Sequence, residues 1–444
     1  MKKFLNSVFF RILWSSGLVV FLYFICPPCF SKTTLLILLS VLWILINAGS
    51  YYRNMAWITW LMRILTGGLF IFSGFIKAND PIGFSYKLEE YFEVFKQDTG
   101  LALFDYLAQA ALFFAIFICA LEMLLGFFLL FGYRVKFTLW LLLLQIVFFT
   151  FLTFYSACYN KVTHCGCFGD FIKLLPWESF WKDVALTFMI TILFGGMENI
   201  RPVTNPLTLH TLAVLSLILS VWFPVYTYRH LPVFDFRPYA IGENIRKNME
   251  FPPDYEPPKY ETRFLYKNLK TGEIKEFDMS NYPWQDTLNW AHDSTINKLI
   301  SDAKNPPKIT DFQLLGLNGE NITDSLLNYK KYMFWVILYD LKKSTDEEEV
   351  YRKLNDIAVL CDKDQIPFFA VTASGKDEIN DFQKKYHTNW KFISSDATVL
   401  KTMIRSNPGL ILLKDATVIM YWHYNDLPSY HEVKEKYFHS ETDE

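Results

Sequence analysis

Long apolar runs dominate the first half of the chain and predict membrane-spanning helices. Seven of these runs are long enough, or nearly so, to cross a bilayer core of about 30 Å. They lie near 6–26, 33–49, 56–77, 106–132, 136–157, 179–197 and 207–226. The second and the sixth are the shortest. The pattern predicts an α-helical membrane bundle of about seven spans.

The second half shows short apolar runs separated by polar segments. A Pro-rich stretch over 229–260 precedes a hairpin signal around Lys270-Thr271-Gly272-Glu273, and 284–303 is predicted to be helical. From about 308, patterns of buried strands alternate with amphipathic helices and end in a hairpin. This order predicts an α/β domain with a mixed sheet.

The resulting division has four parts. They are an N-terminal pair of spans at 1–55, a membrane domain at 56–228, a juxtamembrane segment at 229–307 and an α/β domain at 308–444. Charge follows the same division, since 27 charged residues lie in the first 230 positions and 61 in the last 214. The net charge of −2 gives no reason to expect a nucleic-acid partner.

Basic loops indicate the orientation of the spans, because Lys and Arg concentrate on the cytoplasmic side. With the N-terminus inside, the basic residues of the inner segments are Lys2, Lys3, Arg11, Arg53, Arg134, Lys136 and Arg201. The sequence therefore predicts a multi-pass protein of a bacterial inner membrane, in contact with lipid, whose C-terminal domain is periplasmic.

Five of the seven cysteines fall on the predicted outer face, which is typical of thiol chemistry in an oxidising compartment. Cys165 and Cys167, separated by one glycine, can close a strained and easily reduced disulfide. A protonated His164 would favour the attacking thiolate. Two other interpretations stay open. Cys158 could bridge one of the two sulfurs structurally, or His164 and both sulfurs could hold a soft metal.

Cys26 and Cys29 form a second pair with a redox-competent Cys-x-x-Cys spacing. The two prolines between them also have a structural role, because they end the first span. The remaining cysteines, Cys119 and Cys361, are predicted to be packed core residues.

Glu122 lies inside the fourth predicted span, where an unpaired carboxylate is costly. We expect it to face the bundle interior, either paired or protonated, with a role in proton transfer or in helix–helix bonding. Arg63 is one candidate partner, whereas Lys77 is expected to reach the membrane surface. Small residues that permit close helix contact are Gly67, Gly68 and Gly74.

Residues 57–200 resemble the DoxX/MauE family of four-helix membrane proteins. The matching residues are Arg63-Ile-Leu-Thr-Gly67-Gly-Leu-Phe70-Ile-Phe-Ser73-Gly74-Phe-Ile-Lys77, then Glu122, Gly126 and Gly132, then Cys165-Gly-Cys-Phe-Gly169. The last motif is similar to the MauE branch. The resemblance implies support for disulfide formation in the periplasm beside a thioredoxin-like partner. Through DoxX relatives it also implies quinone as a cofactor.

Residues 308–444 resemble the thioredoxin fold, with Pro408 at the place of that family's cis-proline. The place of the family's Cys-x-x-Cys reads Asp340-Leu-Lys-Lys343, which holds no cysteine. A domain without this dithiol cannot exchange disulfides by itself. The resemblance therefore implies a binding module.

Together these observations predict a membrane protein that transfers electrons between periplasmic thiols and a membrane acceptor, as a quinone-linked thiol-disulfide oxidoreductase. A periplasmic thiol protein is the predicted partner, and no resident metal is predicted. The alternative is a non-enzymatic scaffold that is anchored in the membrane and carries a redox-inactive thioredoxin-like tail. The candidate catalytic residues are Cys165, Cys167, His164, Cys26, Cys29 and Glu122.

Overall fold

The computed structural model describes residues 31–47, 56–159, 161–162, 169, 171–172, 174–301 and 303–438. The predicted first span lies outside the described residues. So do five of the six candidate catalytic residues, namely Cys26, Cys29, His164, Cys165 and Cys167.

A bundle of helices makes up the N-terminal part of the described chain. Its helices are α1 Lys32–Asn47, α2 Ala56–Asn79, α3 Pro81–Thr99, α4 Leu103–Gln109, α5 Ala111–Phe131, α6 Val135–Tyr159, α7 Pro176–Gly195 and α8 Pro206–His230. Among the described residues, four helices are long and apolar enough to cross a membrane, namely α2, α5, α6 and α8. Helix α1 is shorter. Helix α7 has the length of a span but carries Glu178, Lys182 and Asp183 near its start.

Helices α2 and α5 approach closely because glycines remove side chains from their contact. A Cβ atom added at Gly126 would lie 2.8 Å from the carbonyl oxygen of Gly67 and 2.9 Å from the backbone nitrogen of Ile71. One added at Gly74 would lie 2.9 Å from a backbone nitrogen of α5, whereas one added at Gly68 would meet nothing within 4 Å. Close contact is therefore confirmed for Gly67 and Gly74, and the prediction for Gly68 is wrong.

We expect Gly126→Ala to lower the free energy of unfolding by about 1–3 kcal/mol, because the added methyl group meets backbone atoms that can yield only if the helices separate. Gly68→Ala is the matched control. It adds the same methyl group in open space and should be neutral, or stabilise by up to about 1 kcal/mol through helix propensity. Thermal unfolding of the full chain in detergent measures both, and equal losses at the two positions would contradict this packing argument.

A three-stranded antiparallel sheet follows the linker helix α9, Ile245–Met249. Its strands are β1 Lys259–Asn268, β2 Ile274–Asp278 and β3 Trp290–Ser301, in the order β2-β1-β3. The predicted hairpin is confirmed, with Lys267 opposite Ile274. The helix predicted over 284–303 is wrong, because β3 pairs with β1 along its length. That pairing comes from a partner earlier in the chain, which local periodicity does not reveal.

The C-terminal domain is built on a six-stranded sheet, and the predicted mixed sheet is confirmed. Its elements are β4 Leu315–Gly316, α10 Thr323–Leu327, β5 Tyr332–Leu338, α11 Glu348–Lys363, β6 Phe368–Thr372, α12 Lys376–Tyr386, β7 Lys391–Ser394, α13 Ala397–Met403, β8 Gly409–Lys414, β9 Thr417–His423 and α14 Tyr430–Tyr437. The strand order is β4-β7-β6-β5-β8-β9, with β5, β6 and β7 parallel. The Asn407–Pro408 peptide bond is cis.

Both faces of this sheet are covered. The linker and α13 pack on one face through Ile245 and Met403, and α11, α12 and α14 pack on the other. Cys361 of α11 is fully buried there as a free thiol, as predicted. Burial raises the pKa of its thiol to about 12, so the thiolate needed for exchange is scarce near neutral pH.

Candidate functional site

An ion pair inside the bundle joins α2 to α5. The Lys77 Nζ atom lies 2.5 Å from Glu122 Oε2, and the two side chains are 2% and 6% exposed. The Lys77 ammonium also lies 4.3 Å from the centre of the Phe149 ring and 5.5 Å from that of Phe84. Lys77 is therefore the partner of Glu122, and the expectation that it would reach the membrane surface is wrong. Its partner and the two aromatic faces hold its charge inside the bundle.

Arg63, the partner suggested by the sequence, is engaged elsewhere. Its Nε donates to Leu129 O at 2.9 Å, its Nη2 to Leu130 O at 2.7 Å and its Nη1 to Arg201 O at 3.0 Å. Two of these carbonyl groups belong to the last turn of α5, where a helix leaves backbone acceptors unsatisfied. Arg63 therefore caps α5 and cannot also pair with Glu122, two turns earlier in that helix.

A second ion pair in the bundle was missed by the sequence reasoning. Asp183 of α7 has a side chain that is 0% exposed, and its Oδ1 lies 2.8 Å from Lys182 Nζ. The Thr153 hydroxyl donates to Asp183 Oδ2 at 3.1 Å. The available signal was a carboxylate inside a predicted span.

These two ion pairs line a cavity of about 270 Å³, which we call the inner cavity. Its remaining walls are largely apolar, formed by Leu69, Phe70, Ile146, Phe149, Leu174 and Leu186 together with Ser73 and Glu178. Glu122 Oε2 and Asp183 Oδ1 are buried and have no hydrogen bond of acceptable angle among the described residues, although a lysine ammonium touches each. The two lysine–carboxylate contacts are therefore electrostatic, and each of these carboxylate oxygens can still accept a hydrogen bond.

A larger cavity of about 620 Å³, the outer cavity, lies between the bundle and the C-terminal domain. Helices α3 and α13 contribute much of its wall, while Lys77 and Leu174 line both cavities. Gly169, which follows Cys167 by two positions in the sequence, also lines the outer cavity. Lys77 therefore lies between a polar space beside the C-terminal domain and a largely apolar space inside the bundle.

The cysteines that the structure describes fall into two groups. Cys158, at the end of α6, is disulfide-bonded. Cys119 and Cys361 are free and buried. Cys119 is 0% exposed, as expected of a packed core residue. The roles of Cys165, Cys167, His164, Cys26 and Cys29 stay predictions.

The C-terminal domain is fastened to the bundle beside the outer cavity. Arg405 Nε donates to Asp80 Oδ2 at 2.8 Å, and these side chains are 7% and 18% exposed. One residue earlier, Asn79 exchanges two hydrogen bonds with the backbone of Phe234, at 2.7 and 2.9 Å. His230 Nδ1 lies 2.9 Å from Asp426 Oδ1. The C-terminal end of α2 thus links the ion pair, the linker and the C-terminal domain.

Comparisons with known proteins cover part of this arrangement. Residues 260–302, which hold the three-stranded sheet, match a family described as Domain of unknown function (DUF8463). Neither the search of curated proteins nor that of solved structures found a match. Residues 55–196 match the family described as Methylamine utilisation protein MauE. The match runs from α2 to α7, the helices that carry both ion pairs, and this part of the chain is therefore a MauE-like membrane domain.

Proposed function

We propose that this protein oxidises thiols at the outer face of the inner membrane and passes their electrons to a quinone. One observation carries the proposal. The chain segment that follows the Cys165-Gly-Cys167 motif lines the outer cavity at Gly169, and Lys77 and Leu174 line both this cavity and the inner one. A thiol site and a membrane acceptor site would then be neighbours.

The reaction has two balanced steps. In the first, two substrate thiols transfer two electrons and two protons to the Cys165–Cys167 disulfide, whose S–S bond breaks to give a dithiol while the two substrate sulfurs join as a disulfide. In the second, the dithiol is reoxidised and the quinone substrate takes up two electrons and two protons to become quinol. His164 favours the thiolate, the reactive form of the cysteine.

The inner cavity suits a ring with two carbonyl oxygens. Its apolar walls match the ring, and the Lys77 ammonium is a hydrogen-bond donor beside Glu122. An ammonium and a carboxylate in contact can hold a proton and release it when charge develops nearby. We assign to Lys77 and Glu122 the delivery of protons from the outer cavity to the acceptor.

The soluble domain is proposed to be periplasmic and thioredoxin-like. Support for the orientation comes from Arg63 and Arg201, which meet at the end of the bundle opposite that domain.

Support for the fold comes from the sheet order and from Asn407, the residue before Pro408. Asn407 Nδ2 donates to the carbonyl oxygen of Asp340, where a dithiol would begin, at 2.8 Å. The edge of the domain that holds Asp340 and Asn407 faces the bundle. This placement suits a domain that covers the outer cavity better than one that exchanges disulfides with a partner.

The test is the redox state of Cys165 and Cys167 in cells, read with a thiol-blocking mass tag. We expect quinone depletion to shift the pair from disulfide to dithiol, and a Cys165→Ser, Cys167→Ser variant to lose thiol oxidation at normal abundance. Cys361→Ala, which removes a buried free thiol from the soluble domain, is the control and should retain activity. A pair whose oxidation state ignores both quinone supply and reductant load would overturn the proposal.

A scaffold is the second candidate, and the disulfide of Cys158 favours it, because a structural bond in this region needs no exchange chemistry. On that proposal the double serine variant keeps its function, whereas deletion of 308–444 abolishes it. The two candidates thus give opposite results for the same pair of variants.

A further inference from the structure

The soluble domain forms one side of the outer cavity. Thr398, Lys401 and Thr402 of α13 line the cavity, and Arg405 fastens the end of this helix to Asp80. Arg237 of the linker donates to the carbonyl oxygens of Thr402 and Met403, both at 3.4 Å. A folded protein would have to lift this domain to enter, whereas a molecule the size of a few amino acids fits the volume.

Charges of both signs face this space. Lys401 Nζ lies 4.6 Å from the centre of the Tyr86 ring and 6.0 Å from that of Tyr339, so two aromatic faces hold the cation in place. Helix α3 also lines the cavity with Glu89, which is half-buried, and with Lys87, Glu90 and Glu93. Burial raises the pKa of the Glu89 carboxyl, while Lys401 and Lys343 oppose the shift.

A polar group without a partner completes the wall. Ser179 of α7 lines the outer cavity with a side chain that is 0% exposed, and its hydroxyl has no hydrogen bond among the described residues. Buried hydroxyl groups nearly always have a partner in proteins. The Ser179 hydroxyl therefore points independently to a polar ligand or ordered water in this cavity.

We propose that the outer cavity binds a small zwitterionic thiol, cysteine or a short cysteine peptide, as the direct substrate. Lys401 receives its carboxylate, Glu89 its ammonium group and Ser179 a further polar atom. A thiol without the carboxylate would leave Lys401 without a ligand group, and a thiol without the ammonium group would leave Glu89 without one. The binding site stands on the cavity alone, while turnover of the bound thiol rests on the proposed function.

Binding is tested with a redox-inert probe, S-methylcysteine, on the full chain in lipid nanodiscs by calorimetry. Two analogues each remove one charge: 2-(methylthio)ethylamine lacks the carboxylate and N-acetyl-S-methylcysteine lacks the ammonium group. We expect each to bind about tenfold more weakly than S-methylcysteine, the size of one charge-assisted contact. Equal binding of the three compounds, or no binding at all, would overturn the site.

Two variants should each remove the preference for S-methylcysteine over one of the two analogues. Lys401→Gln should abolish discrimination against the amine analogue, and Glu89→Gln that against the N-acetyl analogue. Lys436→Gln, at an exposed position of α14, is the charge-matched control and should leave all three affinities unchanged. A loss of selectivity in the control as large as in the two cavity variants would also overturn the assignment.

A turnover assay separates this inference from the proposed function. Oxidation of reduced denatured protein without binding of S-methylcysteine would overturn the substrate class and leave the redox function standing. Selective binding of S-methylcysteine without any oxidation of cysteine would support the site and overturn the redox function. Oxidation of cysteine together with selective binding supports both.

Discussion

Lys77→Met is expected to destabilise the bundle by about 3–5 kcal/mol, the usual cost of removing one partner from a buried ion pair. The substitution leaves the Glu122 carboxylate among apolar side chains with its partner gone, at 4% overall exposure. Unfolding of the full chain in detergent, by heat or by added sodium dodecyl sulfate, measures the loss.

The double variant Lys77→Met, Glu122→Met distinguishes lost pairing from lost packing. Replacing both charges by apolar groups of similar length removes the desolvation cost along with the attraction, so most of the stability should return. The control is Lys96→Met, which breaks an ion pair of 2.6 Å whose side chains are 49% and 46% exposed. It should cost at most about 1 kcal/mol. If Lys77→Met cost no more than Lys96→Met, the pair would not be a buried one.

The sequence predicts the helices and strands of this fold better than it predicts which of them pack or pair with each other. The four apolar helices and the mixed sheet follow from local patterns, because span length and strand burial are properties of a single segment. Strand β3 was predicted as a helix, since its hydrogen bonds go to β1, whose paired residues lie between 22 and 42 positions earlier, from Asn268 opposite Trp290 to Lys259 opposite Ser301. Only the tertiary pairing reveals such a strand.

The candidate site shows the same limit. Glu122 could be identified from sequence, because a carboxylate in an apolar run is rare and costly. Its partner could not, because the rotation of α2 against α5 decides whether Arg63 or Lys77 faces it. Contacts of glycines such as Gly126 and Gly74 with the facing backbone fix that rotation. Asp183 was overlooked because its burial depends on α6 and the Thr153 hydroxyl.

Arg405→Met is expected to loosen the C-terminal domain from the bundle. The ion pair with Asp80 is mostly buried, and its loss should cost about 3 kcal/mol, near the lower end of the range for buried pairs because Asp80 is partly exposed. Asp80 also accepts from the Gly83 backbone N–H at 2.8 Å and so caps α3. Arg405→Met leaves that cap intact, which separates loss of docking from loss of the helix.

Hydrogen exchange of the full chain in nanodiscs measures this loosening. Backbone amides in 397–408 should exchange faster in Arg405→Met, whereas those of the sheet core at 333–338 should stay protected. Lys330→Met is the control, because it breaks a pair with Asp415 whose side chains are 69% and 51% exposed. Unchanged exchange in Arg405→Met, or an equal change in Lys330→Met, would show that this contact does not hold the domain.

The same variant connects the docking contact to substrate size. If the soluble domain covers the outer cavity, releasing it should admit thiols that are too large to enter. Arg405→Met should then oxidise reduced denatured protein faster than the wild type does, while its selectivity among small thiols falls because Lys401 is no longer held near Glu89. An Arg405→Lys variant keeps the charge but loses the fixed geometry of the guanidinium group. The oxidation rate of Arg405→Lys should lie between the rates of the wild type and of Arg405→Met. If Arg405→Lys were as slow as the wild type, the charge alone would decide the rate, which would argue against a cover.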